Sequence, residues 1–152
     1  FDVEAIIGKA NGVIISSSLP DRVSVETERP ECALMYSTAG IVSSGTISLQ
    51  AAVYGVPSVV IYKMNPLSWW IAKRVSRVDH VSMTNLIAGK KVLPELLQNN
   101  ATVDTISTEL SNWLRNEENS VKTRGELEAV RAKLGSPGAS QRAARFILDR
   151  LK

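Results

Sequence analysis

From Gly40 to Tyr62 the chain reads Gly-Ile-Val-Ser-Ser-Gly-Thr-Ile-Ser-Leu-Gln-Ala-Ala-Val-Tyr-Gly-Val-Pro-Ser-Val-Val-Ile-Tyr. Few folds accommodate that order. A short apolar run meets Ser-Gly-Thr, then a helix-forming stretch closed by Gly55, then Val56-Pro57 and a second apolar run. Glycine caps a helix end and proline holds its predecessor in extended conformation, so strand, helix and strand follow one another. Both strands carry apolar residues on consecutive positions, as in a parallel sheet covered on its two faces. The helix is expected from Thr46 to Tyr54 and the second strand from Ser58 to Tyr62.

The alternation extends in both directions. Upstream, Gly12 to Ile15 and Arg22 to Val25 read as strands, Glu31 to Tyr36 as a helix and Gly40 to Val42 as a strand. Downstream, Met64-Asn65-Pro66 opens a helix in which Leu67, Trp70, Ile71, Val75 and Val78 recur at three- and four-residue spacing. That spacing predicts one buried face with Trp70 in the core, and leaves Trp69, Lys73 and Ser76 on another. Trp69 then packs on a neighbouring element or anchors at a membrane interface. Asp79 to Thr84 reads as a short strand, Asn85 to Lys91 as a loop and Pro94 to Gln98 as a short helix.

After Asn99-Asn100 the pattern is helical alone. One stripe is Val103, Ile106, Leu110, Trp113 and Leu114, and a second is Val121, Leu127, Val130 and Leu134. Gly135-Ser136-Pro137-Gly138 breaks the chain, and Ala143, Ala144, Ile147, Leu148 and Leu151 line a last helix. The class is therefore α/β: one domain with a parallel sheet of about four to five strands flanked by helices. Its α/β part runs over 1–99 and its all-helical tail over 100–152.

Composition excludes several functions. A chain of 152 residues, 44% hydrophobic and 22% charged, can bury a single core without staples. No apolar run approaches the ~20 residues of a membrane span. The lone Cys32 permits no internal disulfide, reads as a small buried side chain and fits a reducing, cytoplasmic compartment. His80, the lone histidine, reads as partly exposed and completes no zinc set, and no acidic pair suggests another metal, so no cofactor is expected. Glu26, Glu28 and Glu31 sit in a polar, proline-containing connection and read as solvated. The net charge of +3 and the cluster Lys73, Arg74, Arg77 favour an anionic partner over a cationic one. Nucleic acid is not implied. Phe1 in place of a methionine, with no signal peptide, suggests a piece of something longer.

Ser44-Gly45-Thr46 stands where a strand gives way to a helix. Small residues there let an anion approach backbone N–H groups at the positive end of the helix dipole. Gln50 lies four residues after Thr46, on the same helical face, within reach of a nucleotide's sugar hydroxyls. A Ser or Thr before a helix is also an ordinary cap. Taken alone, the motif leaves both readings open.

A longer series is more specific. Ser44-Gly45-Thr46, Leu49-Gln50, Gly55-Val56-Pro57, Tyr62-Lys63, Asn65-Pro66-Leu67, Trp70-Ile71-Ala72-Lys73-Arg74, Val81-Ser82, Asn85-Leu86-Ile87-Ala88-Gly89 and Pro94-Glu95-Leu96-Leu97-Gln98 occur in this order. The series resembles the C-terminal part of lipid-A-disaccharide synthase, an inverting glycosyltransferase of the GT-B architecture, most densely from Ser43 to Gln98. The resemblance implies a Rossmann-like half of a GT-B fold that binds the donor UDP-2,3-diacylglucosamine. Transfer to the lipid acceptor, 2,3-diacylglucosamine 1-phosphate, would release UDP. Ser44, Gly45 and Thr46 would hold the pyrophosphate, Gln50 the ribose, and Asn85 would sit at the cleft near the donor. No catalytic residue is expected in this chain, because the family's catalytic carboxylate and acceptor pocket belong to the N-terminal half. Lys73, Arg74 and Arg77 would meet anionic lipid or phosphate at the inner face of the bacterial inner membrane, where the enzyme is peripheral.

The chain departs from the family at identifiable positions. Gln50 stands for a glutamate, Thr38 for an acidic residue, Ser82-Met83-Thr84-Asn85-Leu86 for Ser-Leu-Pro-Asn-Leu, and Lys90-Lys91 for Arg-Glu. The alternative reading is a diverged, non-catalytic interaction or membrane-associating module of the same fold. In either case the apolar stripe of the last helix needs cover, from another half or from a second copy in a homodimer or domain swap.

Overall fold

The computed structural model describes residues 2–75 and 79–151, with the side chains of Ile71, Ala72, Lys73 and Val75 outside the description. Its strands are β1 (Ala5–Gly8), β2 (Val23–Glu26), β3 (Gly40–Ser43), β4 (Ser58–Tyr62) and β5 (Glu95–Leu97). Its helices are α1 (Pro30–Met35), α2 (Thr46–Tyr54), α3 (Pro66–Val75), α4 (Met83–Ala88), α5 (Val103–Arg115), α6 (Glu117–Lys133) and α7 (Ala139–Arg150). A single 3-10 turn, Gln98–Asn100, follows β5.

The class is α/β with parallel strands flanked by helices, as expected, and the strands form two sheets. In the first, β1 runs parallel to β2 with Ala5 opposite Val23. In the second, β4 is central, with Val42 of β3 opposite Val60 and Val60 opposite Glu95 of β5. Both α2 and α5 pack on β4, and Val59 and Val60 are fully buried. That two-sided cover is why β4 carries apolar residues in succession.

Helix α2 presents Ser48, Ala51 and Ala52 inward, all without exposed surface. Side chains this small let α2 lie close against β3, α4 and α6. Leu127 and Val130 of α6 complete the core with Val42, Val56 and Leu93. Much of the helical tail is therefore core. Trp113 of α5 donates its indole N–H to Thr123 Oγ1 of α6 at 3.1 Å, fixing the two helices together. By contrast α7 has no buried residue, and Phe146, Ile147, Leu148 and Leu151 are exposed.

Several local expectations need correction. The first strand is Ala5–Gly8, while Gly12 turns at positive φ and Val13 and Ile14 are exposed. Asp79 to Thr84 is not a strand, since Ser82 caps α4, and the loop expected from Asn85 is that helix. Pro94 to Gln98 is not a helix: Glu-Leu-Leu pairs with the edge of β4, and sheet hydrogen bonds override a helical preference worth only tenths of a kcal/mol per residue. Trp70 is 54% exposed and Leu67 67%, while Trp69 is half-buried, so the inward face of α3 is not the expected one. The Arg74 guanidinium lies over the Trp70 ring, 4.2 Å from its centroid, and supplies the indole with partial cover. Val78 and Ser76 lie outside the described residues. Cys32 is half-buried rather than buried. In α6 the buried face is Ser120, Thr123, Leu127 and Val130, with Val121 exposed.

Candidate functional site

Strand β3 ends in a built turn. The Ser44 N–H donates to Ile61 O at 3.2 Å, carrying the ladder one residue past the strand. The Ser44 hydroxyl donates to Val81 O at 3.0 Å. Gly45 then adopts φ 121° and ψ −151°, a region essentially closed to residues with a side chain. A Cβ placed on it would meet nothing within 4 Å. The requirement for glycine is thus conformational, and the space above its backbone is open.

Gly45 is also the N-cap of α2, and it brings no side-chain acceptor. Ser48 turns inward, its N–H and hydroxyl both donating to Gly45 O at 3.1 and 2.7 Å. The start of α2 therefore offers first-turn N–H groups and the positive end of the helix dipole with no side-chain cap of its own. Thr46 is exposed beside it, and Gln50 is half-buried one turn along the same face. Ser44, Gly45 and Thr46 adjoin in this turn, and Gln50 follows one helical turn into α2.

Asn85 is joined to this turn from beneath. It is fully buried, and its amide donates to Leu93 O and Glu95 Oε1, both at 2.8 Å. Its carbonyl oxygen accepts from the Val92 and Leu93 N–H groups, both at 2.9 Å. Two donors and two acceptor sites are all a primary amide side chain has, so Asn85 is saturated by its own chain. Glu95 completes the bracket by accepting from the Val81 N–H at 3.0 Å and the Ser82 N–H at 2.9 Å. Burial pushes the Glu95 carboxyl up, but the Val81 and Ser82 N–H groups, the Ser82 hydroxyl and the Asn85 amide outweigh it and hold the carboxyl below its ordinary range. Thr84 Oγ1 donates to Ser48 O at 2.6 Å, and with the Ser44–Val81 bond this ties the start of α4 to the start of α2.

Of the basic cluster, Arg74 is exposed on α3. Arg77 and the Lys73 side chain lie outside the described residues. Two functional-looking residues escaped the sequence reading, Glu95 and Gln98, because Pro94 to Gln98 read as a helix and the register that aims them is set by β4. No described helix is long and apolar enough to cross a membrane.

A family profile described as lipid-A-disaccharide synthetase matches residues 19–148. The chain belongs to the lipid-A-disaccharide synthase family. The lipid-A-disaccharide synthase of Geobacter sulfurreducens is 40% identical over 129 residues, covering 85% of this chain and 34% of that protein. That of Geobacter metallireducens is 44% identical over 108 residues, covering 71% and 28%. That of a Sulfurihydrogenibium species is 32% identical over 151 residues, covering 95% and 39%. The chain thus spans about a third of the length of the curated lipid-A-disaccharide synthases it matches.

Proposed function

We propose that this chain is the donor-binding half of a lipid-A-disaccharide synthase, a single Rossmann-like domain over 1–152 in a GT-B enzyme. The observation that carries the reading is the start of α2, where Gly45 leaves a helix N-terminus without a side-chain cap at the carboxyl end of β3. Ligands of open α/β sheets bind at that edge. The pyrophosphate of UDP-2,3-diacylglucosamine would lie on Ser44, Gly45 and Thr46, and Gln50 would hydrogen-bond the ribose. Asn85 would act from below, by holding the Val81–Ser82 segment to which Ser44 is bonded.

In the transfer the acceptor hydroxyl of 2,3-diacylglucosamine 1-phosphate attacks the anomeric carbon of the donor. A base from the N-terminal half takes its proton while the bond to the UDP oxygen breaks. The charge that builds on UDP is met by the α2 N–H groups and the helix dipole, fixed in place before the reaction. The enzyme would work in the cytoplasm at the inner membrane surface, with α7 covering or covered by another half or a second copy. Calorimetric titration with UDP tests the reading. Saturable binding that weakens about tenfold in Thr46→Ala, a loss of about 1.4 kcal/mol, supports it. No UDP uptake by the intact chain removes it.

A second reading follows from α3. Leu67 and Trp70 are exposed beside Arg74, an arrangement suited to an anionic membrane surface. A non-catalytic membrane-associating module would float with anionic liposomes and show no affinity for UDP.

A further inference from the structure

Gln98 carries two unfavourable features at once. Its backbone lies at φ 51°, making it the one described non-glycine residue at positive φ. Its Nε2 is a buried side-chain nitrogen with no hydrogen-bond partner. Buried amide donors are nearly always paired, and strain kept at a strand end points toward function. The side chain is not free to turn away, because Oε1 accepts from the Met64 N–H at 3.3 Å, which fixes the amide's orientation.

The position of Gln98 is set by the sheet. Ser43 lies opposite Ile61, and Tyr62 lies opposite Leu97. One residue beyond Tyr62 and Leu97, and two beyond Ser43, the register brings Gly45, Lys63 and Gln98 to a common level across the strand ends. Adjacent strands are about 4.8 Å apart, so the exits of β3 and β5 are separated by roughly 10 Å. A phosphate seated at Gly45 cannot span that gap. What lies beyond the phosphate can.

We propose that the Gln98 amide donates a hydrogen bond to an oxygen of the sugar carried by the donor, making Gln98 a sugar-recognition residue. The inference rests on the donor reading of the α2 N-terminus. With Gln50 beside the ribose on α2, the uracil follows the ribose on that side of the pyrophosphate, and the group that leaves its other end to reach β5 is the transferred sugar. A ligand oxygen reaches Nε2 by a small shift of the 98–100 turn that leaves the bond between Oε1 and the Met64 N–H in place.

The test uses the full chain, with UDP and the water-soluble UDP-N-acetylglucosamine as probes. Gln98→Gly is the main variant, because glycine accepts positive φ without strain and the fold is kept. Gln98→Ala, which removes the same amide but keeps a Cβ, is measured beside it, with thermal melting of each. The expected result is about tenfold weaker binding of UDP-N-acetylglucosamine in both variants, unchanged affinity for UDP and no fall in the melting temperature of the glycine variant. Equal loss for both ligands places the contact on the nucleotide and overturns the sugar assignment. Unchanged affinity for both overturns the contact. An intact chain that binds neither ligand overturns the donor reading itself, and this proposal with it, whereas an intact chain that binds UDP with variants indistinguishable from it overturns this proposal alone.

Discussion

Helices α2 and α4 pack against one another and begin in opposite ways. At α4, Ser82 accepts from the Asn85 N–H at 3.2 Å, and the Glu95 carboxylate takes the N–H groups of Val81 and Ser82. At α2 the cap is Gly45, with no side chain to offer. One helix start is met by an anion of the protein's own, and its neighbour has no side-chain cap. The pair shows the same physics in two states. Glu95 takes the N–H groups that lead into α4, near the positive end of its dipole, and α2 has the same dipole with no side-chain acceptor at its cap. The C-terminal ends, in contrast, are built alike, since α6 sends Arg124 to Gly55 O and Thr38 O and Lys133 to Ile87 O and Ala88 O.

The largest effect is expected where the filled start is broken. Asn85→Ala removes four hydrogen bonds, leaves the Val92 N–H and both backbone groups of Leu93 unpaired, and takes one of three donors from the Glu95 carboxylate, which keeps the Val81 and Ser82 N–H groups. Unmade buried hydrogen bonds cost about 1–3 kcal/mol each where the gap cannot fill with water, so a total loss of about 3–5 kcal/mol is expected. Urea denaturation measures it. A loss under about 1 kcal/mol would show that the bracket is not what holds α4 against α2.

Glu95→Gln keeps the shape and removes the charge, and its expected cost is about 1–3 kcal/mol at neutral pH. The same group sets an acid limb. Its folded pKa lies below its unfolded one, so its stabilising contribution is complete above the ordinary glutamate value of about 4.3 and is lost as pH falls through the lower, folded value. The variant should therefore converge with the parent chain in stability below that range and diverge above it. Parallel pH profiles for the two would separate Glu95 from the acid response.

Gly45→Ala tests the open start. A Cβ there has room, so the expected cost of about 1–3 kcal/mol comes from backbone conformation alone. If α2 holds the pyrophosphate, UDP affinity falls together with stability as the turn is re-aimed. Retained UDP binding in a destabilised Gly45→Ala chain would move the anion site elsewhere.

The two starts were unequally legible in the sequence. Residues from Gly40 to Tyr62 announced their strand, helix and strand because local signals, Gly55, Val56-Pro57 and the apolar runs, agree with the tertiary fold. The region of α4 and β5 misread because its structure is decided by distant partners. Pro-Glu-Leu-Leu-Gln has no strand periodicity to read over three paired residues, and only the edge of β4 makes it β5. Asn85 was legible as a marked residue through the resemblance, and its role was not. No spacing rule says that an amide will be saturated by Leu93, Val92 and Glu95, because those contacts depend on the register of β5. Trp70 misled for a related reason. A helical stripe identifies an apolar face but not whether anything lies over it.

The smallest effect concerns the matched C-terminal ends. Arg124→Met and Lys133→Met keep the aliphatic cover of each side chain and remove the cation that meets the last carbonyls of α2 and α4. Both contacts are exposed, so each loss should be about 0.5 kcal/mol, shrinking further in high salt. Near-equal values would confirm that the two helices differ only where they begin. A clearly larger loss at Arg124, which also spans to Thr38 O at 3.1 Å, would show that α2 is held harder at its closed end than α4. That imbalance would mean that α2, whose opposite end has no side-chain cap of its own, is anchored chiefly from its C-terminal end.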